Sequence, residues 1–357
     1  MSMNASTTHR ILTLDIAKGI GILLVVLGHN PVFREGAHPF YEAIYLFHMP
    51  LFFFLSGVTF RAGSPVDAGR KRGRALLVPY FFMGLLGVLV AIAAGPLPAL
   101  TELGGVVYAT GHTIRFVPLW FLPCLFMASM AATFVMEAAR ALTPAERLER
   151  MRTTLLVSLA LAGLVLGSLI LSSQVFAEPP YVDYKGRPLG LPWSLDLVPF
   201  VLGVFFVGTL AARAPLVYRC PQPWLVLLAT ASVLAILTAY GASLDLNYRR
   251  LTHPVAAIVA MACGIVMVMA LSTLVARVAW AGRVFGYLGS ASLIILMLHS
   301  PLQRRLVHPI LNAHFPEAVT VIGSLVITVG LICAFDLLVL RRVHALGWVV
   351  YKRREAL

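Results

Sequence analysis

The chain has 357 residues, of which 59% are hydrophobic and 12% charged, with a mean hydropathy of +0.87. Soluble globular chains carry about 25% charged residues, so half of a soluble protein's polar coat is missing and a water-soluble architecture is excluded. The net charge of +13 then reads as basic residues gathered on cytoplasmic loops rather than as a nucleic-acid surface.

Apolar runs near the length of a bilayer crossing, about 20 residues, recur from one end to the other. Hydropathy and helix breakers together place about ten spans, at roughly 11–30, 41–60, 75–95, 118–137, 154–172, 194–212, 224–243, 254–276, 285–300 and 319–340. The expected fold class is all-α: a polytopic transmembrane helical bundle, read as a single integral-membrane domain over 1–357. MSMNASTTHR is polar and the run after it lacks a small-residue cleavage site, so the first helix is expected to be retained. Numbering the connections alternately puts most basic residues on the side of the N-terminus. They include Arg70, Lys71, Arg72 and Arg74; Arg140, Arg147, Arg150 and Arg152; and Arg341, Arg342, Lys352, Arg353 and Arg354. That bias predicts both termini in the cytoplasm and a multi-pass protein of the cytoplasmic (inner) membrane.

The first span carries three ionisable side chains, Asp15, Lys18 and His29. Each costs roughly 2.5–3.5 kcal/mol at the centre of a membrane helix on insertion scales. At about 100° per residue they fall within roughly 60° of one another, with Lys18 and His29 about 16 Å apart along the axis. Such a stripe must face the bundle interior or a wet cavity. Asp15 and Lys18, at i and i+3, can offset each other's charge. His29, just before Pro31, sits near the outer end.

The second span contains YLFHMPLFFFLSG, with His48 two residues before Pro50. Pro50 frees a backbone carbonyl and opens room in a bundle, and Ser56 with Gly57 offers a small surface for close helix contact. RKRGRALLVPYFF follows. Its Arg70 and Lys71 anchor the span on the inside, while Arg72 and Arg74, nearest the apolar boundary, have the guanidinium forks that hold phosphate groups. Pro79 again breaks helix regularity. In PLWFLPCLF, Trp120 suits either an aromatic belt or a platform for a sugar. The stretch 173–193 is rich in Pro, Gly and aromatic residues, as an ordered surface loop would be. LIILMLHSP ends the ninth span with His299 on the same outer side as His29.

The four cysteines, Cys124, Cys220, Cys263 and Cys333, imply no disulfide framework. Three histidines on three helices invite a metal reading, but no H-x-x-E-H or comparable spacing accompanies them, so no metal is expected. A G-x-S-x-G nucleophile, a P-loop and a dinucleotide glycine fingerprint are all missing from the sequence. Nothing in it fixes an oligomeric state.

LDIAKGIGILLVVLGH, with Lys18 and His29 separated by ten positions, resembles the opening motif of the acyltransferase 3 family of membrane O-acyltransferases. Asp15 matches that family's L-D-x-x-R/K-G start. FHMPLFFFLSG is similar to the version in fucose 4-O-acetylase-type enzymes. The basic segment before Pro79-Tyr80, the WFL at Trp120 and the LH-x-P at Leu298–Pro301 follow in the family's order. Lys18 stands where arginine is more usual, which keeps the charge but lacks the planar fork.

The resemblance implies transfer of an acyl group, acetyl first among them, from acetyl-CoA or another acyl-CoA to a sugar hydroxyl of a cell-envelope glycan or lipid-linked saccharide. It implies His29 as general base or as a transient acyl carrier, Lys18 and Asp15 as the rest of the catalytic set, with Lys18 steering the anionic donor from the cytoplasmic side and Asp15 positioning Lys18, and Arg72 and Arg74 as donor-binding. His48, Trp120 and His299 fall on the acceptor side. The competing expectation is a transporter or flippase for an anionic or lipid-linked sugar that uses the stripe as a pathway.

Overall fold

A computed structural model describes residues 5–35, 39–93, 95–183, 185–214 and 218–342. The terminal basic residues Lys352, Arg353 and Arg354 lie outside the described residues. In chain order the helices are α1 (Ala5–Gly28), α2 (Pro31–Glu35), α3 (Pro39–Val58), α4 (Pro65–Arg72), α5 (Val78–Ile92), α6 (Pro96–Tyr108), α7 (Phe121–Leu142), α8 (Ala145–Ser173), α9 (Val198–Ala211) and α10 (Pro223–Ala239). A two-stranded sheet of β1 (Ser243–Asp245) and β2 (Arg250–Thr252) follows. The chain continues through α11 (Pro254–Val275), α12 (Ala279–Ser290), α13 (Ser292–Leu302), α14 (His308–Asn312) and α15 (Glu317–Phe335).

The all-α, membrane-spanning architecture expected from composition is what the chain adopts. Among the described residues seven helices are long and apolar enough to cross a membrane, or eight if a bent pair counts as one span. Leu89, Leu161, Leu169, Ile322 and Val326 all stay exposed on them, as side chains facing lipid do. Three of the expected spans take another form. The first is a 24-residue helix with an ion pair in its middle. The seventh is only 17 residues long. The ninth breaks at Ala291, where Ala279–Ser290 and Ser292–Asn312 meet at 75°. Hydropathy sums over that break because both arms are apolar. Among the described residues, four helices, α2, α4, α6 and α14, fall between expected spans, and α6 is the longest of them.

Two of the three π-turns have a cause written in the chain. Gly73–Leu77 precedes Pro79, and Gln303–Val307 precedes Pro309. Proline has no N–H to give to the carbonyl four residues back, and its ring collides with that carbonyl. Widening the preceding turn relieves the collision: Val78 N–H donates to Gly73 O and His308 N–H to Gln303 O, each five residues back. Both helices continue through the proline instead of ending there.

The chain divides into two compact units. Among the described residues, the first comprises 5–55, 212–244 and 251–342; the second takes 56–211 and 245–250. In the first, α1 packs against α11, α12 and α13, and α13 packs against α15. The α1–α12 contact is backbone against backbone. A Cβ built on Gly19 would overlap the Phe285 carbonyl oxygen, and one on Gly289 would overlap that of Asp15. Phe47 of α3 lies where a side chain on Gly264 of α11 would be.

In the second unit α8 packs along α9, and the end of α3 meets α9 closely, since a Cβ on Gly57 would overlap the Phe205 carbonyl oxygen. This is the small-residue contact expected at Ser56-Gly57. The stretch after α8 is ordered by polar contacts, as its composition suggested. Asp183 accepts hydrogen bonds from the backbone N–H groups of Lys185 (2.9 Å) and Arg187 (2.8 Å) and from Arg187 Nε (2.6 Å). Desolvation alone would raise its carboxyl pKa; these hydrogen bonds outweigh that and hold it below the ordinary carboxylate value. Further along, Asp196 and Arg249 form an ion pair at 3.0 Å, almost wholly buried on both sides. Asp196 Oδ1 also accepts Leu191 N–H at 2.9 Å, and Tyr108 donates to Gly190 O at 2.7 Å.

Candidate active site

Midway along α1, Lys18 Nζ sits 3.1 Å from Asp15 Oδ1, both side chains about one-third exposed at 33% and 32%. A pair this wet contributes less than about 1 kcal/mol. The Asp15 carboxylate offsets much of the local charge of Lys18. The close approach of Gly289 fixes the backbone at Asp15. His29, roughly 16 Å further along the same helix, is a separate station.

The helix ends at His29 for local reasons. Pro31 cannot extend it, and Asn30 caps the short α2 by accepting Val32 N–H at 3.1 Å. The other end of the Asn30 amide donates to Ser324 Oγ of α15 at 2.7 Å, and Asn30 is fully buried. His29 N–H and His29 Nδ1 both reach the Val25 carbonyl, at 3.1 and 2.8 Å. A carbonyl only accepts, so Nδ1 carries the proton and Nε2 is the ring's lone-pair nitrogen.

The same device recurs twice. His48 Nδ1 donates to Ile44 O at 2.8 Å, and His299 Nδ1 to Ile295 O at 2.9 Å and Leu296 O at 3.1 Å. The ring of His29 stands edge-on to His299 with centroids 5.2 Å apart. Tyr45 lies with its ring centroid 6.3 Å from that of His29 and its hydroxyl 3.3 Å from Gly28 O. Tyr45 in turn meets His48 edge-on at 4.6 Å and stacks on Tyr41 at 3.9 Å. The three histidines expected on one side of the bundle therefore do come together. His29 and His299 touch directly; His48 joins through Tyr45. Among the described residues no group of three or more His, Cys, Asp or Glu side chains is arranged to hold a metal ion.

The donor-side candidates lie in the second unit. Arg72 Nη1 donates to Ser129 O at 2.9 Å and to Thr133 Oγ1, and its guanidinium lies 5.1 Å from the centre of the Phe60 ring. It lines a cavity of about 270 Å³ together with Arg61, Lys71, Ser56 and Thr59. Arg74, on the widened π-turn, is exposed and does not line that cavity. Trp120 is buried, and a Cβ on Gly111 would lie 3.1 Å from its ring.

Sequence reasoning missed Tyr41, Tyr45, Asn30 and Ser324. The tyrosines were open to discovery, because Tyr41, Tyr45 and His48 recur at i, i+4 and i+7 along one helix face. Asn30 and Ser324 were not, since 294 positions separate them. Asn30→Ala leaves Ser324 without its donor and α2 without its cap, and we expect a loss of about 1–3 kcal/mol. Thermal unfolding of the purified protein measures it, and an unchanged midpoint would remove Asn30 as the strut that sets His29.

A family profile described as an acyltransferase domain matches residues 11–337. Among curated proteins, the nodulation protein NolL of Mesorhizobium japonicum is 33% identical over 113 residues, 28% of this chain and 30% of that one. NolL of Sinorhizobium fredii is 38% identical over 104 residues, 26% of this chain and 28% of that one. The match thus spans less than a third of either curated relative. No solved structure matches the chain.

Proposed function

The chain belongs to the acyltransferase 3 family, and from that premise we propose that it moves an acyl group, acetyl by preference, from an acyl-CoA to a hydroxyl of an envelope sugar. The observation that supports this is the state of His29: Nδ1–H is committed to the Val25 carbonyl, which turns Nε2 into a base. The donor supplies the acyl group as a thioester. His29 Nε2 takes the proton of the acceptor hydroxyl as its oxygen bonds to the acyl carbon. The carbon–sulfur bond breaks and the proton passes to the departing sulfur. A second course, in which Nε2 itself takes the acyl group before the sugar does, uses the same nitrogen.

His299, edge-on to His29, and His48, linked through Tyr45, suit hydroxyl-rich acceptors by their size, shape and lone pairs. Trp120 is kept on the acceptor side only as part of this reading. Lys18 with Asp15, midway along α1, serves the donor. Phosphate chemistry fits the cavity lined by Arg61, Lys71 and Arg72, so Arg72 is the stronger donor contact and Arg74 the weaker. The distribution of basic loops supports a cytoplasmic membrane setting with both termini inside.

The test is transfer of labelled acetyl from acetyl-CoA to envelope glycan, in membranes with and without this protein. Label in the glycan that depends on the protein is the expected result. Sugar translocation without thioester consumption would replace the enzyme with a carrier.

A further inference from the structure

One side chain in the first unit is in a position that stability alone does not account for. Gln303 is fully buried, and neither its amide nitrogen nor its amide oxygen has a hydrogen-bond partner. Burying an unpaired amide opposes folding, and an apolar residue of the same volume would sit there more favourably. Gln303 opens the π-turn forced by Pro309 and lies four residues after His299, so the two share one helix face. Local widening of this kind is frequent at functional sites.

Two more polar atoms are in the same condition. His299 is wholly buried and its Nε2 has no partner; Thr328 is wholly buried and its hydroxyl has none. Thr328 belongs to α15, which packs against both α13 and the π-turn. Its buried face also carries Ser324, bonded to Asn30 next to His29. Three unsatisfied groups of complementary character thus attach to the elements that hold His29. The imidazole nitrogen can only accept, the hydroxyl can do both, and the amide offers one donor and one acceptor side by side.

We propose that Gln303, His299 and Thr328 form the acceptor subsite, a binding site for a polyhydroxylated ring, with the Gln303 amide bridging two neighbouring hydroxyls. A sugar meets each need at once: hydroxyl protons for Gln303 Oε1 and His299 Nε2, and a hydroxyl lone pair for Gln303 Nε2. Apolar or purely anionic acceptors leave some of these groups unpaired. The inference rests on the acyltransferase reading for its chemistry but not for its binding.

The test uses the purified full-length protein and Gln303→Met, which keeps volume and flexibility while removing both polar atoms. The probe is a de-O-acylated oligosaccharide prepared from envelope glycan. We expect the oligosaccharide to raise the melting temperature of the wild type and leave that of Gln303→Met unmoved. Without ligand, Gln303→Met should melt at the wild-type temperature or above it. In the transfer assay the acceptor KM should rise at least tenfold, with the donor KM unchanged. An unchanged acceptor KM and a retained oligosaccharide shift would overturn the subsite. So would a lower melting temperature with both KM values rising together, which marks a structural glutamine. Oligosaccharide binding that depends on Gln303, in a protein that transfers nothing, would keep the subsite and remove the enzyme reading.

Discussion

On the proposed function, His29→Ala is expected to lower acyl transfer by about 10²–10⁴-fold, as for a lost general base, while the chain stays folded. The fold is spared because the end of α1 does not depend on the ring. His29 N–H still bonds Val25 O, and Asn30 still ties the turn to Ser324 and caps α2. What is lost is the ring that stands next to His299 and Tyr45 and whose Nδ1–H is committed to Val25 O, leaving Nε2 as the lone-pair nitrogen. Transfer of labelled acetyl at matched protein level measures the effect, and the melting temperature confirms folding. More than a tenth of the wild-type rate in His29→Ala would remove His29 from the chemistry. The two courses available to Nε2 separate in the same assay. Rapid quenching without acceptor traps label on His29 only if the ring carries the acyl group.

The second large effect is structural. Gly289→Val should unfold or grossly destabilise the first unit, because its Cβ would occupy the position of the Asp15 carbonyl oxygen. Side chains can change rotamer to make room, but two helix backbones cannot. Overpacking in ordinary cores costs about 1–3 kcal/mol, and a rigid backbone contact belongs at or above the top of that range. The reciprocal contact, Gly19 against Phe285 O, leaves α1 no direction in which to slide along α12. Gly330→Ala is the control: no atom lies within 4 Å of its built Cβ, and alanine favours a helix by about 1 kcal/mol over glycine. Expression level and thermal unfolding compare the two. Equal stability of Gly289→Val and wild type would mean that α1 and α12 do not meet as described, and the placement of Asp15 and Lys18 would fall with them.

Much of the fold was open to reading in the sequence because helices are local. Apolar length sets the crossing segments, and proline positions set where they widen or end, as Pro31, Pro79 and Pro309 do here. The grouping of Asp15, Lys18 and His29 on one face follows from helical periodicity alone. Hydropathy could not reveal the break at Ala291, because bending an apolar stretch changes no residue's polarity.

The sequence by itself determined an all-α membrane protein, an oppositely charged i, i+3 pair on the same face of one helix as a histidine, and an order of motifs that resembles one enzyme family. The tertiary structure decided which rings surround His29, that Arg72 and not Arg74 lines the basic cavity, and that Gln303 is buried without a partner. The division has a physical origin. Turns and helices are specified by neighbours a few residues apart, whereas His29 and His299, or Asn30 and Ser324, meet through helix packing that glycine contacts such as Gly19 and Gly289 permit. Which of the chain's 28 glycines make such contacts is settled only when the helices are in place.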